Sequence, residues 1–145
     1  MTALNLQTAQ TLITAALKYA RERRFQPLGV GVLDPRGALI AYAAEDGTSL
    51  RRQDIALAKA NAALGMGLGS RTLAARAKAQ PVFYSALANV IQGGFAPAPG
   101  GVLVRDKDGV LLGAVGVSGD VSDNDEAAAL FGIQEVGLTA DPGRE

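Results

Sequence analysis

Two segments in which an Asp-x-x-Gly turn separates two short apolar runs constrain the fold of this chain most strongly. In the first, Asp34-Pro35-Arg36-Gly37 lies between GVGVLD and ALIAYAA. Asp, Pro and Gly at the first, second and fourth positions are typical of a type I turn. In the second, Asp106-Lys107-Asp108-Gly109 lies between GVLVRD and VLLGAVGV. Two such hairpins predict an antiparallel sheet of about four strands or more.

Helical patterns precede, separate and follow the two hairpins. Apolar residues recur at helical spacing near the N-terminus, and alanine-rich segments fill the region between the hairpins. The predicted helices cover, with approximate bounds, residues 6–24, 50–64, 70–78, 81–92 and 122–136. Ser49 and Ser70 are candidate N-caps, and Pro81 suits the first turn of a helix. The order αββαααββα predicts a single α+β domain over residues 1–145, with helices packed on the sheet.

The composition excludes several kinds of chemistry. The chain has no His and no Cys, which excludes disulfides, thiol chemistry, zinc sites built from these residues, and Ser-His or Cys-His catalytic pairs. Lys and Arg number 14, as do Asp and Glu, but 11 of the cations lie up to Lys78 and 9 of the anions follow it. A neutral chain with this distribution does not predict a nucleic-acid partner. The two halves are expected to meet within the fold or between subunits.

The uncharged segment Ala79–Val104 bears on location and assembly. Its 26 residues include three Pro and four Gly, so it is unsuited to crossing a membrane. The N-terminal segment lacks the basic region and continuous apolar run of a signal peptide, so we expect a cytoplasmic protein with no membrane contact. An uncharged run of this length predicts burial against another subunit or a ligand. We therefore expect a homo-oligomer, a dimer or higher.

The segment GAVGVSGDVSDNDEAA at residues 113–128 is the strongest motif for function. Ser118 has no His to activate it as a nucleophile, and the acidic residues that follow would repel a phosphate. The carboxylates are hard ligands for a divalent ion, but the EF-hand order is absent and no metal site is predicted. We interpret them as a capping box, either Ser122-x-x-Asp125 or Asp123-x-x-Glu126. Glycines along the strand and at its exit leave room for a ligand or for close packing.

Several segments together resemble the GlcG/HbpS-like haem-binding family, which includes the C-terminal domain of PduO-type proteins. The segments that carry the resemblance are the early Ala-rich helix, VGVLDPRGALIAY, DGTSLRRQDIALAKANAAL, GGFAPAPGGVLV, and GAVGVSG followed by DNDEAAALFGI. The resemblance extends over nearly the whole chain. It implies a profilin-like fold, with a central antiparallel sheet of about five strands flanked by helices, and a homo-oligomer. It also implies small-molecule binding, since some relatives bind haem or take part in redox sensing.

The resemblance places the family's pocket region at Asp46 and Gly47, Lys59, Gly94 and the turn 118–125. From this we expect the ligand site to include Lys59, Gly94, Ser118 and Gly119. Lys59 suits the carboxylate of a ligand, and Asp125 is expected to hold the start of the last helix in place.

The leading hypothesis is a small-ligand-binding protein of this family that takes haem or another small anionic organic molecule, in sensing or as an accessory to catabolism. Since the chain lacks His and Cys, we expect haemin to bind weakly or through apolar contact alone. The alternative is a cofactor-free acid/base enzyme, of isomerase, tautomerase or lyase type, acting on a small organic acid. Its candidate catalytic groups are Asp46, Lys59 and Asp125. A third alternative is an accessory subunit without chemistry of its own.

Overall fold

A five-stranded antiparallel sheet of order β2-β1-β4-β3-β5 forms the centre of the molecule, seen in a computed structural model that describes residues 3–145. The strands are β1 Gly29–Leu33, β2 Leu39–Ala44, β3 Gly101–Arg105, β4 Leu111–Ser118 and β5 Thr139–Asp141. The helices are α1 Leu6–Glu22, α2 Arg52–Met66, α3 Ser70–Ala79, α4 Pro81–Leu87 and α5 Ser122–Glu135. The predicted α+β fold, with its sheet of about five strands, is confirmed.

Both predicted hairpin turns are present and are built in the same way. The Gly37 N–H donates to the Asp34 carbonyl at 2.9 Å, and the Gly109 N–H donates to the Asp106 carbonyl at 3.1 Å. Each Asp side chain also accepts from the backbone N–H groups two and four residues further on. These bonds explain why Asp stands first in each turn, since its carboxylate closes the turn from outside.

The two faces of the sheet are covered differently. On one face, α1 and α5 pack against the valines of the central strands, and this layer is the main core. Its largest fully buried side chains include Leu12, Val30, Val115 and Ile133. On the other face lies α2, which approaches β4 closely. A Cβ on Gly116 would overlap the backbone carbonyl oxygen of Ala56, so only glycine permits this approach. The small residues of α2 and β4 therefore place helix and strand backbones in direct contact.

The structure departs from the sequence-based predictions at the helix starts and at one edge. The predicted caps at Ser49 and Ser70 are wrong, since neither the α2 start nor the α3 start has a side-chain cap. The Ser70 hydroxyl instead accepts from the Gly101 N–H at 2.7 Å, which joins α3 to β3. The capping box predicted for α5 is also wrong, because the helix begins after Val121 without a side-chain cap. The three-residue β5, which the residue pattern did not predict, pairs with β3.

The uncharged segment contains α4, which packs on α3 around Tyr84 and leaves apolar side chains exposed. Val82, Phe83 and Val90 have exposed fractions of 84%, 53% and 72%. Within residues 3–145, none of the helices is both long and apolar enough to cross a membrane.

Candidate functional site

The exit of β4 is the point where the predicted site residues meet. β4 ends at Ser118, α5 begins at Ser122, and α2 crosses the strand beside this turn. Ser118 is fully buried, whereas Val121, three residues further along the chain, is exposed by 64%. The turn thus joins the buried end of the sheet to the molecular surface within a few residues.

Lys59 and Asp125 form a buried ion pair below this turn. The Lys59 Nζ lies 3.0 Å from Asp125 Oδ2 and 3.0 Å from the Val117 carbonyl oxygen. The side chains are 4% and 1% exposed. The other carboxylate oxygen of Asp125 accepts from the Asp120 N–H at 2.9 Å. The pair therefore ties α2 to the end of β4 and to the turn before α5, and neither side chain presents its charged group to solvent.

The pKa values of the two carboxyls at the turn, Asp125 and Asp120, are shifted in opposite directions. Burial raises the pKa of Asp125, although the Lys59 ammonium and the Asp120 N–H favour its charged form. Burial also acts on Asp120, but hydrogen bonds from the Gln26 and Val121 N–H groups and from Asn124 outweigh it, so the pKa of Asp120 lies below its ordinary value. Asp120 thus stays charged while it fastens the turn to the segment before β1.

Gly119 and Gly94, the other predicted ligand residues, pack against neighbouring segments of the fold. A Cβ on Gly119 would overlap the Pro27 carbonyl oxygen, so this glycine permits close contact with the segment before β1. Gly94 lies on the side of α2 that carries Asn61, whose side chain donates to the Gly94 carbonyl at 2.8 Å. The structure therefore brings together Lys59, Ser118 and Asp125, and places Gly94 in the loop before β3, against another part of α2.

Asp46, a candidate acid/base group, lies apart from the ion pair. It lines a cavity of about 450 Å³ together with Arg21 and Glu45. Within residues 3–145, no hydrogen bond or ion pair joins Asp46 to Lys59 or Asp125. The three groups of the acid/base alternative are not assembled into one site.

A larger cleft opens beside the turn, between α3, residues 97–99 and the start of α5, and we call it the α3–α5 cleft. Its volume is about 760 Å³, within the range of about 300–1,000 Å³ that is usual for small-ligand sites. Six of its twelve lining residues are alanine or proline, and four others, at its rim, are charged. The lining residues are Arg71, Ala74, Ala75, Ala77, Lys78, Pro97, Ala98, Pro99, Val121, Ser122, Asp123 and Glu145.

The two cations of the α3–α5 cleft are in different states. Arg71 pairs with three carboxylates, those of Asp123, Glu126 and Glu145. Hydrogen bonds to Glu126 and Asp123 raise the pKa of the Arg71 guanidinium, and the three carboxylates already neutralise its charge. Lys78 is exposed and takes part in none of the ion pairs formed within residues 3–145. Lys78 is therefore the rim cation that remains for the carboxylate of a ligand.

The cleft supplies no ligand for haem iron. Its lining includes no Met or Tyr, and the sequence has no His or Cys. Met66 and Tyr84 pack in the apolar cluster under α3, and Tyr19 stacks on Phe131. The lining of the cleft thus contains none of the side chains that usually ligate haem iron. Among residues 3–145, no group of three or more acidic side chains is placed to hold a metal ion.

Sequence reasoning missed one polar residue at the β4 exit, Arg52. Its Nη1 donates to the Ser118 hydroxyl at 3.2 Å, and its Nε donates to the Ser49 hydroxyl at 3.2 Å. A signal was available, because Arg52 precedes Lys59 by two helical turns and so lies on the same face of α2.

Comparisons with known proteins give one family match and several structures of the same fold. The model of a family described as haem degrading protein HbpS-like matches residues 4–134. No curated protein matches the chain by sequence.

Three solved structures illustrate the shared fold. A variant of HbpS from Streptomyces reticuli is 27% identical with a TM-score of 0.78, and the match covers 93% of this chain and 88% of that one. A PduOC–haem complex is 24% identical with a TM-score of 0.84, covering 95% and 98%. The Klebsiella pneumoniae protein ORFY is 23% identical with a TM-score of 0.82, covering 94% and 93%.

Proposed function

Because this chain belongs to the HbpS-like family, we propose that it binds a small anionic organic molecule, such as haem, in the α3–α5 cleft. The observation that carries the proposal is the cleft itself, with its apolar wall beside the GDVSDNDE turn and one uncommitted cation at its rim. An apolar wall of Ala and Pro suits a flat hydrophobic body, and the Lys78 ammonium suits a carboxylate at its edge. Haem is named in the description of the matching family and in the PduOC–haem complex.

Haem would be held in this cleft through its ring and propionates, without an iron ligand from the cleft. The expected affinity for haemin is therefore low, and it should differ little from that for the iron-free porphyrin. A comparison of haemin with the iron-free porphyrin therefore distinguishes binding of the porphyrin ring from coordination of the iron.

The experiment is a titration of the protein with haemin and, separately, with iron-free protoporphyrin. We expect both to bind saturably with similar affinity, and haemin to give no sharp Soret band of a defined axial complex. Lys78→Ala should weaken both by about tenfold or less, the range for one exposed charged contact. Lys107→Ala, in the β3–β4 turn away from the cleft, is the matched control and should change neither.

A second variant tests the position of the site. Ala75→Trp places a large ring against the cleft wall and should abolish binding of both porphyrins, whereas Ala86→Trp on α4 should not. Unchanged binding by Ala75→Trp would remove the cleft from the proposal. A tight haemin complex whose spectrum changes in Met66→Ala or Tyr84→Phe would show that the chain coordinates iron, contrary to what we expect.

We also propose that the protein is a homo-oligomer. Two surfaces support this: the apolar side chains that α4 exposes, and β2, an edge strand that carries no charged residue. An uncharged edge strand offers unpaired backbone groups to another copy of the chain. Light scattering during size-exclusion chromatography should give at least twice the monomer mass of 14.8 kDa. A monomer at micromolar concentration would contradict the assembly while leaving ligand binding open to its own test.

A further inference from the structure

Arg52 is a half-buried cation that has no carboxylate partner. Among the other buried or half-buried cations of residues 3–145, Lys59 pairs with Asp125, Arg71 pairs with three carboxylates, and Arg105 pairs with Asp141. Arg52 donates only to two serine hydroxyls. A partly desolvated guanidinium forms its strongest hydrogen bonds with planar anions, and a neutral hydroxyl does not neutralise its charge.

Part of the guanidinium is open to solvent, and so is a nearby tyrosine hydroxyl. Among the buried and half-buried residues within 3–145, every side-chain nitrogen or oxygen that has no contact with solvent has a hydrogen-bond partner. Neither Arg52 Nη2 nor the Tyr42 hydroxyl has a partner within this part of the chain, and neither residue is exposed as a whole. Both groups must therefore reach solvent, where each can donate a hydrogen bond to a ligand.

The sheet brings these two donors to the same end of the α2 face. Gly29 pairs with Ser118 on β4, and a Cβ on Gly29 would overlap the Tyr42 hydroxyl. The hydroxyl therefore lies over Gly29, beside the serine that accepts from Arg52. The absence of a side chain at Gly29 makes room for this arrangement.

The local charge favours an anion at this place. Asp54, the acidic residue whose charge acts on Tyr42, lies 3.3 Å from Arg51, which offsets it. Arg52 then leaves one net positive charge. Burial and, to a lesser degree, the charge of Asp54 raise the pKa of Tyr42, so its hydroxyl is a neutral donor at neutral pH.

We propose that Arg52 and Tyr42 form a binding site for the carboxylate of a small organic acid, separate from the α3–α5 cleft. One carboxylate oxygen accepts from Arg52 Nη2 and the other from the Tyr42 hydroxyl. Ser118 and Ser49 fix the orientation of the guanidinium by accepting from its other nitrogens. The exposed Ser49 keeps its own hydrogen for the ligand, because its oxygen is the acceptor toward Arg52. None of these residues lines the cleft.

The test is a titration of the full chain with benzoate, followed by NMR of the arginine side-chain N–H groups. We expect one side-chain Nε–H signal, absent in Arg52→Gln, to shift saturably with benzoate. Arg52→Gln should weaken benzoate binding by about tenfold or more, the effect of losing a charged hydrogen-bond donor. Tyr42→Phe should weaken it by less, and it keeps the test decisive even if Arg52→Gln unfolds.

The controls separate this site from a general effect of charge and from the cleft. Arg51→Gln removes the adjacent exposed cation and leaves Asp54 unpaired, so it should weaken benzoate binding much less than Arg52→Gln does. Lys78→Ala alters only the cleft and should leave the benzoate-induced shift of the Arg52 signal unchanged, even where it weakens binding in the cleft. Benzyl alcohol, which lacks the charge, should not shift the Arg52 signal. The proposal is overturned if benzoate shifts no arginine signal, if Arg51→Gln weakens binding as much as Arg52→Gln, or if inorganic phosphate binds more tightly than benzoate.

Discussion

Lys59 and Arg52 lie on the same face of α2, two turns apart, and both reach the end of β4, yet their surroundings are opposite. Lys59 is enclosed, and its ammonium is neutralised by Asp125. Arg52 is half-buried, donates to hydroxyls, and keeps an open nitrogen. The ammonium of Lys59 therefore holds the fold together, while the guanidinium of Arg52 retains charge for a ligand. The difference shows that a cation beside a Gly-rich strand exit needs its partners identified before a function is assigned to it.

The largest expected effect tests the structural role of the ion pair between Lys59 and Asp125. Lys59→Met leaves the Asp125 carboxyl buried without a cation, and breaking one side of such a pair typically costs about 3–5 kcal/mol. Urea denaturation should show a loss of this size in the free energy of unfolding. The double variant Lys59→Met/Asp125→Leu should recover much of it, because no buried charge remains. A loss below about 1 kcal/mol in the single variant would mean that the pair is not structural.

The second expected effect tests the close contact between α2 and β4, which places both Arg52 and Lys59 beside the end of β4. Gly116 faces Ala56, which lies between Arg52 and Lys59 on α2. Gly116→Ala should push α2 away from β4 and cost about 1–3 kcal/mol of unfolding free energy, the usual range for overpacking. Gly65→Ala is the matched control, since its Cβ would meet nothing closer than 3.9 Å within an exposed part of α2. We expect that control to be neutral or stabilising. Equal losses in both variants would contradict the close contact.

The sequence predicted the architecture better than the site. The turns at Asp34 and Asp106 act through bonds to residues only a few positions away, so their residue types were sufficient to locate both hairpins. Lys59 and Asp125 were also singled out, but their pairing joins residues 66 positions apart. Burial at such a distance follows from how α2 docks on β4. For that reason Lys59 was expected to face a ligand, and Arg52 was overlooked.

The third expected effect concerns stability in acid, and it tests whether the charge of Asp120 stabilises the turn between β4 and α5. The pKa of Asp120 lies below its ordinary value of 3.8, so its hydrogen bonds add stability above the unfolded-state pKa. That contribution is lost as the pH falls through the folded-state pKa. Thermal unfolding of the parent and of Asp120→Asn should therefore differ near neutral pH and converge in acid. A difference that stays constant with pH would show that the Asp120 charge contributes nothing to the turn.

The smallest expected effect belongs to Arg52 itself. Arg52→Gln removes a guanidinium that no carboxylate neutralises, and the amide can still donate to a serine hydroxyl, so no buried charge is left behind. We expect the free energy of unfolding to change by about 1 kcal/mol or less, because the guanidinium is partly open to water and the amide can replace one of its hydrogen bonds. The same urea denaturation used for Lys59→Met measures both variants under one condition. If Arg52→Gln cost as much as Lys59→Met, the two cations would share a structural role, and the open nitrogen of Arg52 would have no claim to a ligand. A small loss of stability combined with a large loss of benzoate affinity is the pattern that only a binding role produces.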